Sequence, residues 1–130
     1  MTNKVLVAIA STLEGVTGLA LIIAPSLVRF LSGADISGGA LTIVRMVGFG
    51  LLALGVVCWP RVKATVPRLR VMLIYNLLTT IYLGYLRFGS ESVGKLLLPA
   101  IAIHAVLAFL FVGAWLKHRS ATAKIWNTRS

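Results

Sequence analysis

The chain has 130 residues, of which 58% are hydrophobic and 12% are charged. Soluble domains are about 45–50% apolar and about 25% charged, so this composition argues against a soluble fold, which could not bury so much apolar surface. Lysine and arginine number 13 against 3 acidic residues, but they flank apolar runs and form no basic stripe of the kind that binds nucleic acid. The cations therefore predict contact with anionic lipid headgroups and no nucleic-acid partner.

Four apolar runs are long enough to cross a hydrocarbon core of about 30 Å, which takes roughly 20 helical residues. They predict helices over 5–24, 40–59, 71–87 and 96–116, and Pro25 and Pro60 end the first two runs. We therefore predict an all-α integral membrane four-helix bundle, a single domain over residues 1–130 with a basic tail at 117–130. The motif AIA at 8–10 resembles a signal-peptidase site, but the apolar run before it is too short, so we expect no cleavage.

The lysines and arginines outside these runs are divided unequally between the two sides of the membrane. Nine lie on the side of both termini and three on the other: Lys4, Arg61, Lys63, Arg68, Arg70, Lys117, Arg119, Lys124 and Arg129 against Arg29, Arg87 and Lys95. Because cytoplasmic loops are rich in lysine and arginine, both termini are predicted to be cytoplasmic. Residues 25–31 are expected to lie along the outer interface. The tail either rests on the inner leaflet or is a disordered end.

Each predicted crossing carries a polar residue that is costly in lipid: Glu14, Arg45, Asn76 and His104. At about 1.5 Å of rise per residue, Glu14 and His104 lie near the membrane centre. Arg45 lies roughly 7 Å outward and Asn76 roughly 5 Å inward. Since an arginine side chain can reach along its helix, we expect Glu14 to pair with Arg45 and to hydrogen-bond with His104. Asn76 is expected one turn below them.

These residues predict a polar site inside the bundle, lined by Glu14, Arg45, Asn76, His104, Thr17 and Tyr75. The same residues could equally serve as structural links between helices. His104 lacks a second axial ligand, which argues against haem, and a single cysteine, Cys58, excludes a clustered Cys/His metal site. No soluble-enzyme motif is present, so catalytic residues remain unknown and catalysis by the chain alone is not expected.

Two stretches, EGVTGLALIIAPSLV (14–28) and RMVGFGLLALGVVCW (45–59), are similar to the DoxX-like superfamily of small bacterial four-helix membrane proteins. The shared features are a glycine-bearing first helix closed by a proline and an arginine followed by glycines at the start of the second, here Arg45, Gly48 and Gly55. The resemblance implies the bacterial inner membrane. It also implies a link to sulfur oxidation with quinone as acceptor, or to membrane complexes that handle thiol or oxidative stress.

Three functions remain open at this level. The first is binding of a quinone- or lipid-like amphipathic molecule in the polar site, as an accessory subunit of a membrane complex, with quinone as the expected cofactor. The second is proton-coupled transport of a small solute through Glu14 or His104. The third is a structural or assembly subunit without a ligand, as a homo-oligomer or with a partner protein. The glycines within the runs allow helices to approach closely, but none is spaced as GxxxG.

Overall fold

A computed structural model describes residues 3–60, 66–89 and 94–127, with side chains up to residue 120. Its elements are α1 (Asn3–Ile23), a 3-10 turn (Pro25–Val28), α2 (Arg29–Ser32), α3 (Gly39–Cys58), α4 (Val66–Gly89) and α5 (Leu97–Asn127). Four helices are long and apolar enough to cross a membrane: Asn3–Ile23, Gly39–Cys58, Val66–Gly89 and Leu97–Ser120. The described residues therefore confirm an all-helical multi-pass membrane protein. Three of the cations counted for the orientation lie outside the described residues: Arg61, Lys63 and Arg129.

Two helices are longer than the sequence predicted. α4 begins five residues before the expected position 71, and Pro67 lies in its first turn, where a missing N–H costs little. α5 has 31 residues and continues to Asn127, beyond the expected end at residue 116. At about 1.5 Å per residue α5 is about 46 Å long, and its last turns project beyond a hydrocarbon core of about 30 Å.

Helix α1 lies at the centre of the arrangement. It packs along its length on α3 and contacts both α4 and α5 with another face, while α4 and α5 pack on each other. Among the described residues α3 makes no comparable contact with α4 or α5. The helices therefore form a pair, α1 and α3, joined through α1 to a second pair, α4 and α5.

Small residues bring α1 and α3 into backbone contact along what we call the glycine seam, formed by Ser11, Gly18, Gly48 and Gly55. A Cβ atom added to Gly18 would lie 2.6 Å from the Gly48 carbonyl oxygen, and one added to Gly55 would lie 2.6 Å from the Ser11 carbonyl oxygen. Ser11 and Gly18 are two turns apart, as are Gly48 and Gly55, so each pair lies on one helix face. The two faces meet in antiparallel register.

The buried side chains collect at the end of the bundle where α1 begins. This core consists of Leu6, Val7, Ala10, Cys58, Leu69, Met72, Leu107, Phe111 and Ala114. At the opposite end, the backbone N–H groups of Gly94 and Leu96 donate to the carbonyls of Leu31 and Phe30 over 2.9 and 2.8 Å. These bonds tie α2 to the start of α5. One end is therefore held by side-chain packing and the other by a backbone link.

Candidate functional site

Glu14 lies in the middle of α1 and turns toward α4 and α5. It is 2% exposed, and its Oε1 atom lies 3.9 Å from Nδ1 of His104 on α5. This distance is too long for a direct hydrogen bond, so the carboxyl and the imidazole are neighbours without being bonded. The shared depth that the sequence predicts for these two groups thus corresponds to a close approach between α1 and α5.

His104 is held by Asn76 of α4, whose Oδ1 atom lies 2.9 Å from His104 Nδ1. The Asn76 amide nitrogen donates to the Met72 carbonyl over 2.8 Å, which leaves Oδ1 as an acceptor. Nδ1 therefore carries the hydrogen in this bond, and in the neutral imidazole Nε2 carries the lone pair. An N–H fixed in this way sets both the tautomer and the orientation of the imidazole ring.

The expectation that Asn76 would lie one turn below His104 is wrong, because the two side chains are hydrogen-bonded at the same level. The estimate used the midpoint of 71–87, whereas α4 spans Val66–Gly89, and the midpoint of this longer helix lies about 2 Å closer to Asn76. The amide side chain of Asn76 reaches across the remaining offset to His104.

Tyr75 closes the group from the same helix as Asn76. Its ring meets the His104 ring edge to face, with centroids 5.9 Å apart and an interplanar angle of 77°. Its hydroxyl lies near the Glu14 carboxyl and near Thr79. Glu14, Tyr75, Asn76 and His104 therefore form one cluster, which we call the polar centre.

Two predicted site residues lie outside the polar centre. Arg45 is exposed, and its Nε donates to the Ile22 carbonyl over 3.4 Å; Ile22 is eight residues from Glu14, about 12 Å along α1. The expected ion pair between Arg45 and Glu14 is thus not formed in the described part of the chain. Thr17 is exposed on the surface of α1.

The physical reason for the position of Arg45 is the arrangement of the helices. α3 packs on the face of α1 that carries the glycine seam, whereas Glu14 points from the adjoining face toward α4 and α5. Arg45 instead reaches one of the last carbonyl groups of α1, which have no partner within their own helix. A cation at a helix C-terminus also interacts favourably with the helix dipole.

Three buried polar atoms of the described side chains have no hydrogen-bond partner: Glu14 Oε1, Ser11 Oγ and Trp115 Nε1. Leaving such a group unpaired costs about 1–3 kcal/mol. Ser11 was not among the predicted ligand-binding residues. The helical spacing predicts that Ser11 shares an inward face with Glu14 and Gly18, but nothing in the sequence indicates that its hydroxyl is unpaired.

Two apolar grooves lie on either side of α1. The first, of about 430 Å³, lies between α1 and α3 and is lined by Ser11, Thr12, Gly15, Val16, Leu19, Leu52, Gly55, Val56 and Trp59. The second, of about 390 Å³, lies between α1 and α5 and is lined by Leu6, Ile9, Leu13, Ala102, Ile103, Val106, Leu107 and Leu110. The polar centre lines neither groove, although Leu13 and Ile103 are the chain neighbours of Glu14 and His104.

The described helices and this geometry define a multi-pass membrane protein with a buried carboxyl–imidazole–amide cluster. The sequence matches no protein-family model, no curated protein and no solved structure. The similarity to the DoxX-like superfamily therefore stays a prediction from the two stretches that carry it.

Proposed function

We propose that the protein binds a quinone- or lipid-like amphipathic molecule, with the head of that molecule in the polar centre. In this proposal it is a DoxX-like protein of the bacterial inner membrane, has both termini in the cytoplasm and acts as an accessory subunit of a membrane complex. The binding of a ligand, and not catalysis by this chain, is the proposed activity.

The observation that carries the proposal is the unpaired Oε1 of Glu14, a carboxyl oxygen that is buried beside His104. Polar groups inside a membrane are expensive and are retained where they bind or relay something. The His104 side chain is 17% exposed, so the polar centre has one edge that a molecule in the bilayer can reach. An unpaired acceptor and a reachable imidazole are the features that a hydrogen-bonding head requires.

The chemistry of the polar centre suits a head that both donates and accepts hydrogen bonds. With Nδ1–H bound to Asn76, His104 Nε2 can accept a hydrogen bond from a hydroxyl group. A protonated Glu14 or the Tyr75 hydroxyl can donate to a carbonyl group. A quinone offers carbonyl oxygens that accept hydrogen bonds, and its reduced diol offers hydroxyl groups that donate them. Asn76 contributes by fixing the orientation of the imidazole.

We expect His104→Ala to abolish copurification of the bound molecule when the protein is extracted in native-lipid discs and analysed by mass spectrometry. Glu14→Gln, which keeps the shape but loses the acid, should reduce the amount. His118→Ala removes the other histidine of the same helix and should leave the amount of copurified molecule unchanged. Equal amounts in wild type and His104→Ala would contradict the proposal and favour a purely structural role for the polar centre.

Proton-coupled transport of a small solute is the second candidate, and the position of Arg45 favours it. An exchanger needs a carboxyl that is free of a fixed cation, and Arg45 donates to the Ile22 carbonyl instead of to Glu14. In proteoliposomes with a pH gradient, a solute that this protein carries should dissipate the gradient. Glu14→Gln should abolish that response and Arg45→Gln should preserve it; an unchanged response in Glu14→Gln rejects this candidate.

Anionic lipid headgroups are the partners that we propose for the end of the bundle where α1 begins. Lys4, Arg68, Arg70, Lys117 and Arg119 belong to this end. Each cation near an anionic surface contributes about 1 kcal/mol of attraction at low ionic strength. This arrangement supports the proposed cytoplasmic position of both termini.

A further inference from the structure

The groove between α1 and α3 has a different chemistry from the polar centre. Apolar side chains from both helices form most of its wall, and Ser11 supplies a hydroxyl that is buried and without a partner. The neighbouring hydroxyl in the same groove, that of Thr12, is already satisfied, because it donates to the Ala8 carbonyl over 2.8 Å. The groove therefore offers one unused hydrogen-bonding group in an otherwise apolar surface.

The depth of Ser11 restricts what can use that hydroxyl. Ser11 lies about 12 Å from the start of α1, and its contact with Gly55 puts it about 5 Å from the level at which α3 ends. The ester oxygens of a phospholipid lie at the edge of the hydrocarbon core. Ser11 is at least about one helical turn inside the ends of both helices, so the acyl chains are the part of a phospholipid that lies beside it, and a partner for the hydroxyl is a molecule that carries an oxygen below the headgroups.

The other walls of the groove indicate the shape of that molecule. Trp59 lies one turn beyond Gly55, and therefore one turn from the level of Ser11, and is 48% exposed, so a flat ring can pack on its indole. In the opposite direction Val16, Leu19 and Leu52 continue the groove as an apolar track. A volume of about 430 Å³ is within the usual range of small-ligand sites, roughly 300–1,000 Å³.

We propose that the groove between α1 and α3 is a second binding site, separate from the polar centre, for a neutral ring that carries a carbonyl oxygen and an aliphatic tail. The Ser11 hydroxyl donates to the ring carbonyl, the ring packs on Trp59, and the tail follows Leu19 and Leu52. Gly15 forms the floor, and a Cβ atom added there meets nothing within 4 Å, so a larger side chain at this position fills the groove without separating the helices.

Fluorescence of Trp59 tests this site directly. In a Trp115→Phe/Trp126→Phe background, Trp59 is the single tryptophan, and decyl-benzoquinone is added to the protein in phosphatidylcholine nanodiscs. We expect saturable quenching. Gly15→Leu should abolish saturation, and Ser11→Ala should weaken binding about fivefold, the loss expected for one hydrogen bond. Two matched controls, Thr12→Val and Gly50→Leu, should bind as the parent does.

A second arm separates a ring ketone from a phospholipid. Discs made with acyl-brominated phosphatidylcholine should quench Trp59, and decyl-benzoquinone that displaces the acyl chains should change that signal in the parent but not in Gly15→Leu. Quenching that rises linearly and equally in the parent, Gly15→Leu and Ser11→Ala would overturn the proposal, because it would report partition into lipid alone.

The result with His104→Ala separates this site from the polar centre. If the groove binds the ring, His104→Ala leaves the saturable quenching of Trp59 unchanged, whether or not copurification of a ligand at the polar centre is lost. If His104→Ala abolishes the quenching while Ser11→Ala preserves it, the ring lies in the polar centre and the groove proposal fails. Circular dichroism of each variant verifies that the helices are intact.

Discussion

Gly18→Ala and Gly55→Ala should each lower the stability of the protein by about 1–3 kcal/mol, the usual cost of overpacking. In each case the added methyl group meets backbone atoms of the opposite helix at 2.6 Å, and backbone cannot rotate away as a flexible side chain can. The helices α1 and α3 must separate, and they lose van der Waals contact along the whole glycine seam. Reversible unfolding in mixed micelles with increasing dodecyl sulfate measures the change.

The control variants for the glycine seam are alanine substitutions at glycines of the same two helices. Added Cβ atoms at Gly15 in α1 and at Gly50 in α3 meet nothing within 4 Å. Because alanine favours the helix by about 0.5–1 kcal/mol over glycine in water, Gly15→Ala and Gly50→Ala should be neutral or stabilising. If all four variants unfold at the same dodecyl sulfate fraction, the close approach of α1 and α3 is wrong.

The sequence was sufficient for the four crossings because hydrophobicity over about 20 residues is a local property. It also indicated that the glycines allow close packing. It did not reveal the glycine seam, since a search for GxxxG examines four-residue spacing within one helix. The seam uses seven-residue spacing on two helices, from Ser11 to Gly18 and from Gly48 to Gly55. Which residues of α1 lie opposite which residues of α3 becomes clear only once the two helices are packed together.

The sequence predicted how deep the residues of the polar centre lie along their helices, but not the direction in which their side chains point around the helix axis. Counting residues along each helix brought Glu14 and His104 to one level, and the error for Asn76 came from bounds that made α4 too short and from neglecting the reach of its side chain. Depth says nothing about which helices are neighbours. The predicted pairing of Arg45 with Glu14 failed for this reason. α3 packs on the other face of α1, so Arg45 donates to a carbonyl at the end of α1 instead of pairing with Glu14.

The hydrogen bond between Asn76 and His104 should appear as an interaction energy in a double-mutant cycle. Asn76→Leu removes the acceptor of the His104 Nδ1–H and leaves that buried donor unpaired; His104→Phe leaves the Asn76 oxygen unpaired. An unpaired buried group costs about 1–3 kcal/mol, and hydrogen bonds between membrane helices contribute about 0.6–2 kcal/mol. Each single variant should therefore lose about 1–2 kcal/mol in the same unfolding assay.

The double variant Asn76→Leu/His104→Phe should lose less than the sum of the two single losses, by at least about 0.5 kcal/mol, because it leaves neither partner unpaired. Asn76→Leu combined with Gly50→Ala provides the reference for independent sites, since α3 does not pack on α4; there the two effects should add within about 0.5 kcal/mol. Additivity in both cycles would mean that α4 and α5 are not linked through this bond. The imidazole would then lose its fixed tautomer, and with it the acceptor at Nε2 on which binding at the polar centre depends.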